Sequence, residues 1–288
     1  MDLPTELIIY IFGHLAPHDV LSLAATCKRF LNAWQQHTTT IYNLTRHTIE
    51  CERDARTLLA DQGVLPADCT ITVPGFLQLR RNAHVMERII GEFNRKYMAR
   101  WCCHLNHPRN REVCDGNPRP PHLTRTERPR FVRTAYKLWG LFLLSSGEAR
   151  QQRIESYTMK DLISLEDTDC GYPITAVDVV TSVIKAEAKQ PSAIGLTVPN
   201  IDSSIYRHEI IGRVHYEIER VAQYAYGCDH LAFHSWDEGG WWGGPISLFD
   251  DWRSFFRAIL VDSKYTCGQR VVSMDEVWYE TSDEEIVD

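Results

Sequence analysis

Residues 1–34, MDLPTELIIYIFGHLAPHDVLSLAATCKRFLNAW, constrain this chain more than any other stretch. Pro4 suits a first helical turn, where its missing N–H would be unpaired anyway. Glu6 in that turn complements the positive end of the helix dipole. Leu7, Ile8, Ile11, Phe12 and Leu15 then recur at helical spacing. Ala16-Pro17 breaks this helix, because a proline disfavours helical backbone in the residue before it. Asp19 opens a second short helix through Val20, Leu21, Leu23 and Ala24. Thr26 is placed to cap a third, which carries Cys27, Phe30, Leu31 and Trp34 with Lys28 and Arg29 outward.

Three such helices hold more large apolar side chains than one small core can take. Ile9 and Tyr10 fill the angle between the main stripes of the first helix, so it is apolar nearly all round. A helix of that kind must be buried on more than one side. A unit of about 35 residues cannot bury both faces alone. The surplus predicts another polypeptide on one side and the remainder of the chain on the other.

Leu3-Pro4-Thr5-Glu6-Leu7-Ile8, Ile11-Phe12, Leu15, Asp19-Val20-Leu21, Leu23 and Cys27-Lys28-Arg29-Phe30 together resemble an F-box. The resemblance implies a trihelical motif that docks on the Skp-family adaptor of cullin–RING ubiquitin ligases. It implies that Leu3, Pro4, Leu7, Ile8, Ile11, Phe12 and Leu15 lie in or beside that interface. Leu21, Leu23, Cys27 and Phe30 would complete or support it. The competing reading is an ordinary three-helix start to an α-helical protein. The Leu-Pro opening, the Pro17 break and the Cys-Lys-Arg-Phe run at these separations favour the F-box.

At 288 residues the chain can hold this small motif and one larger domain. With 44% hydrophobic and 24% charged residues it has a globular composition. A net charge of -7 argues against general nucleic-acid binding. The nine cysteines are scattered, and an odd number fits reduced thiols in cytoplasm or nucleus better than a disulfide framework. The N-terminus is acidic and runs straight into the helical motif, unlike a signal peptide. The most apolar run, Leu138 to Leu144, is too short to span a bilayer, so no membrane association is expected.

Residues 38–48 are polar, with Thr38-Thr39-Thr40, and read as a connection. A helix is expected over Thr48–Asp61, with Ile49, Ala55, Leu58 and Leu59 inward and Gly63 at its end. Val73-Pro74-Gly75 reads as punctuation. Phe76–Trp101 is the clearest long helix, its stripe being Val85, Met86, Ile89, Ile90, Phe93, Tyr97 and Trp101. Thr124 to Glu127 has capping-box spacing before a helix over about Arg130–Leu144 that is apolar on most sides and belongs at the centre of the body. Further helices are expected over Glu148–Leu165, Ile174–Lys189, Ser203–Ala225 and Ile246–Val261, and a short strand over Arg270–Tyr279. The Thr124–Leu144 segment and Pro245–Trp252 also resemble the C-terminal bodies of fungal F-box proteins, a resemblance that brings no client with it.

The expected architecture is mainly α: an N-terminal trihelical F-box followed by an irregular α-helical domain without repeats. The expected boundaries are F-box 1–37, linker 38–48, a helical recognition domain 49–280 and an acidic tail 281–288.

Candidate chemistry is sparse. Cys102, Cys103, His104, His107 and Cys114 lack a C-x-x-C pair. His230 and His234 are four apart, but Leu231 stands where H-E-x-x-H needs Glu. No nucleophile elbow or P-loop is present, and no cofactor or enzymatic activity is expected. Positive charge gathers between Arg80 and Arg133, which fits either an anionic partner such as RNA or an acidic peptide, or a face balanced by acids elsewhere. The loop Gly239-Gly240-Trp241-Trp242-Gly243-Gly244 offers Trp241 and Trp242 for client binding, tryptophan being common at binding hot spots. The resulting expectation is a non-catalytic subunit that binds a Skp-family adaptor, through it a cullin, and an unknown client. The alternatives are an F-box scaffold acting outside a ligase, and a zinc-binding or RNA-binding helical protein.

Overall fold

The computed structural model describes residues 3–15, 17–66, 69–99, 121–123, 125, 127–158, 161–162, 164–165, 176–189, 209–214 and 216–217. Helices account for 79% of these residues, and none lies in a strand. Both cysteine–histidine groups, the Gly/Trp loop with Trp241 and Trp242, the helix over 246–261, the strand over 270–279 and the acidic segment fall outside the described residues.

Three short helices open the chain: α1 (Thr5–Gly13), α2 (Pro17–Ala24) and α3 (Lys28–Gln36). Pro17 begins α2 rather than merely ending α1, as a first-turn proline can. Thr26 does not cap α3. Its hydroxyl donates to the Leu23 carbonyl at 2.7 Å and closes α2, while Cys27 occupies the position before α3 without a side-chain cap.

Residues 38–48 are not a loose connection. They form α4 (Thr38–Thr45) and a 3₁₀ turn (Arg46–Thr48), with Thr38, Ile41, Tyr42 and Thr45 buried. Threonine has low helix propensity. Here the buried hydroxyls find backbone acceptors: Thr38 Oγ1 donates to Trp34 O of α3 at 2.7 Å and Thr45 Oγ1 to Ile41 O within α4 at 2.9 Å. Tyr42 OH donates to a Glu52 carboxylate oxygen, and Thr39 Oγ1 to Ile71 O at 3.1 Å.

The body is built on α5 (Glu52–Asp61), α6 (Val73–Phe93), α7 (Glu127–Leu143), α8 (Gly147–Glu155) and α9 (Ala176–Ala188). Cys51, at φ 52°, makes the left-handed turn into α5. Its thiol donates to the Pro129 carbonyl at 3.3 Å, joining the starts of α5 and α7. Helix α6 starts earlier than its apolar stripe suggests: the Thr72 hydroxyl accepts from Gly75 N at 3.3 Å, and Pro74 sits in the first turn. A π turn at Asn94–Met98 continues it. Helix α7 packs on α5, α6 and α9, and its Phe131, Val132, Ala135, Tyr136, Leu138, Trp139, Leu141 and Phe142 are all buried. Ser146 caps α8. In α9, Val177, Val180, Val183 and Ile184 are buried as their spacing requires.

Phe76 joins the opening helices to the body. Trp34 and Tyr42 both present ring edges to it, each at 6.4 Å between centroids. One continuous core therefore runs from Ile8 and Phe12 through Phe76 to α7. Among the described residues no helix is long and apolar enough to cross a membrane.

Candidate docking face

Helix α1 is held on one side only. Ile8 and Phe12 are fully buried, and the Phe12 ring meets the edge of Phe30 in α3 at 6.2 Å. The next turn of α1 lies hard against α4. A Cβ on Gly13 would sit 2.8 Å from Leu44 Cδ1 and 3.0 Å from its Cβ, so glycine eases this close approach. The Arg29 guanidinium donates to the Leu3 carbonyl and ties the entry segment to α3.

The opposite side of α1 has no cover within the described chain. Leu7 is 49% exposed, Tyr10 63% and Ile11 38%. With His14 they follow the i, i+3, i+4, i+7 spacing of a single helical face. Tyr10 and His14 meet edge to face at 4.4 Å. Leu3 is exposed just before this face.

The residues singled out from the sequence thus divide by orientation. Leu3, Pro4, Leu7, Ile11 and Cys27 are exposed. Leu15, Leu21, Leu23 and Phe30 are half-buried. Ile8 and Phe12 point into the chain's own core and reach no external surface. Tyr10 and Leu31, both exposed, were absent from that set. Tyr10 could have been found from its position three residues after Leu7 on a helix apolar all round.

A second polar centre lies between α5, α7 and α8, around a cavity of about 350 Å³. Lys137 pairs with Asp161 and, at 3.6 Å, with Asp54, which also faces Arg133 at 3.7 Å. Arg153 clasps Asp61 with two hydrogen bonds at 2.5 and 3.1 Å. Gly140 makes room for that carboxylate, since a Cβ there would stand 2.5 Å from Asp61 Oδ2. Lys137 also sits 5.4 Å from the Tyr157 ring centroid.

Burial raises the pKa of Asp54 against the pull of Lys137 and Arg133. Burial likewise raises that of Asp61 against Arg153. At Asp161 burial also pushes upward, but Lys137 and the Thr158 hydroxyl and amide outweigh it, and the carboxyl lies below its ordinary range. Thr158 and Asp161 satisfy each other's amides in a capping-box arrangement, at 3.3 and 3.2 Å. Burial pushes the Tyr136 and Tyr157 phenols up as well. Each of the three carboxylates in this centre already has a cationic partner, so the cluster ties helices together rather than presenting a reactive group. Among the described residues no group of three or more His, Cys, Asp or Glu side chains could hold a metal ion.

The opening helices thus form a short trio with one side in the core and, among the described residues, an apolar face left open. In the comparison with protein families, residues 1–37 match the family model described as F-box-like. This part of the chain is an F-box-like domain. No curated protein and no solved structure matches the chain.

Proposed function

We propose that the chain is the client-recognition subunit of a cullin–RING ubiquitin ligase of the SCF type. The observation that carries this reading is the coincidence of the F-box-like match at residues 1–37 with the uncovered apolar face of α1. Leu3, Pro4, Leu7, Tyr10 and Ile11 meet a Skp-family adaptor. Leu15, Leu21, Leu23, Cys27 and Phe30 border that contact. Ile8 and Phe12 fix the helix from behind. Burying one large apolar side chain is worth about 1.5–3 kcal/mol. Association itself costs about 4–15 kcal/mol. Several side chains of the face must therefore act together.

F-box domains are typically non-catalytic, and the chemistry of ubiquitin transfer would belong to other subunits. The contribution of this chain is to raise the client's effective concentration at the ligase. The Phe76 joint bears on this, because a packed connection gives the body a fixed bearing relative to the adaptor where a loose tether would not. Residues 49–280 serve as the recognition domain, and the protein works in the cytoplasm or nucleus. Trp241 and Trp242 contribute to client capture in this reading. Replacing both with alanine lowers client recovery and leaves adaptor binding intact.

Co-expression with a Skp-family adaptor and a cullin tests the proposal. The expected result is co-elution of all three in one complex. Recovery of the adaptor without cullin would make the chain a scaffold outside a ligase, and recovery of neither would remove the docking assignment.

A further inference from the structure

An open groove of about 760 Å³ runs along α6 between the F-box-like helices and α7. That volume falls within the ~300–1,000 Å³ of ordinary ligand sites. Its floor is closed by Ile49, Phe76, Leu79, Met86 and Val132, all buried, so its accessible apolar surface comes from Leu77, Leu21 and Ala83. Leu77, 42% exposed, stands at its edge, and Leu21 of α2 borders it on the F-box side.

The rim is mixed: Arg80, Arg81, His84 and Glu87 come from α6, Arg128 from α7, and Glu50 precedes α5. Arg128 is already held between Glu50, at 3.0 Å, and Glu87. Other basic residues of the same stretch are committed too, Arg88 to Glu187, Arg95 and Lys96 to Glu92, and Arg133 to Asp54. Among the described residues no carboxylate pairs with Arg80 or His84, which are one helical turn apart on the groove's edge. With Glu50 and Glu87 engaged by Arg128, the basic side chains Arg80 and His84 left on the groove's edge complement a ligand with an acidic rim.

We infer that this groove seats a short client peptide with a bulky apolar anchor flanked by anionic side chains. The anchor covers Leu77 and Leu21, and the flanking carboxylates or phosphates meet Arg80 and His84. The inference rests on the reading of the chain as a recognition subunit. The groove borders α2, so a peptide seated there lies beside the F-box-like helices.

The test uses the full-length protein against an array of synthetic 12-residue peptides that vary in apolar, Asp/Glu and phosphoserine content. Hits are followed by fluorescence anisotropy. Peptides combining an apolar anchor with acidic or phosphorylated flanks should be enriched, and the array's two anionic arms separate carboxylate from phosphate recognition. Arg80→Glu with His84→Glu should weaken these hits about tenfold at 0.1 M salt, the loss shrinking as the Debye length falls from about 10 Å to about 3 Å at 1 M. Leu77→Ala should weaken them independently of salt. All three positions face outward or lie half-exposed, so circular dichroism and adaptor binding should match the parent.

Absence of anionic hits, or hits indifferent to both variants, would overturn the groove assignment. Equal or tighter binding of an oligouridylate probe through Arg80 and His84 would also overturn it, in favour of RNA. Adaptor binding is read in the same samples. A chain that holds the peptides but not the adaptor would retain the groove and lose the ligase reading.

Discussion

Helices α1 and α7 are both apolar on nearly every side, and the chain treats them in opposite ways. Around α7 it supplies α5, α6 and α9, and the apolar side chains from Phe131 to Phe142 named above are at most 2% exposed. Around α1 the described residues supply α3 and α4 on one side and leave Leu7, Tyr10 and Ile11 open. All-round apolarity therefore says only that a helix needs cover on every side. Whether the cover comes from the same chain depends on how many helices the topology brings to it.

Substitutions on the covered sides should be costly. Trp139→Ala and Phe12→Ala should each lower unfolding stability by about 3–5 kcal/mol in denaturant titration. An effect of Phe12→Ala nearer that of a surface residue would break the distinction between the two sides of α1. Next in size is Lys137→Ala, which strands Asp161 and leaves Asp54 with Arg133 alone in a largely buried setting, and should lower stability by about 2–4 kcal/mol. The double change Lys137→Ala with Asp161→Asn should recover part of that loss, since it removes the stranded charge.

Asp161→Asn alone should have a smaller, pH-dependent effect of about 1 kcal/mol at neutral pH. The carboxyl of Asp161 lies below its unfolded value in the folded protein. Its stabilising contribution is therefore present above the ordinary carboxylate range and lost as pH falls through it. The gap between parent and Asp161→Asn should close below about pH 4. A gap that widened on acidification would contradict the Lys137–Asp161 pairing.

The parts of this fold that could be read from sequence are those carried by period. The stripe Val85 to Phe93 and the apolar run from Phe131 to Phe142 gave α6 and α7 because their spacing repeats within a few residues. Helix α4 was hidden because Thr38-Thr39-Thr40 looks like connecting chain. Its buried hydroxyls find acceptors only once the preceding helix places the Trp34 carbonyl beneath Thr38. The Asp61–Arg153 and Asp54–Lys137 pairs were hidden for a different reason: their partners are far apart in sequence, and no local pattern links them. On α1, the surplus of apolar surface was legible but its direction was not. When Leu7, Ile8, Ile11 and Phe12 are equally greasy, only the packing of α3 and α4 against one side of the helix turns Ile8 and Phe12 inward.

The smallest expected effect on stability belongs to the open side of α1, and there the central claim is tested most directly. Leu7→Asp with Ile11→Asp places charge on side chains already 49% and 38% exposed, so unfolding stability should change by less than about 1 kcal/mol. Titration calorimetry of this variant with a purified Skp-family adaptor should show no measurable binding, whereas the parent chain binds. Adaptor affinity equal to that of the parent, in a variant that remains folded, would contradict the claim that another polypeptide covers this face.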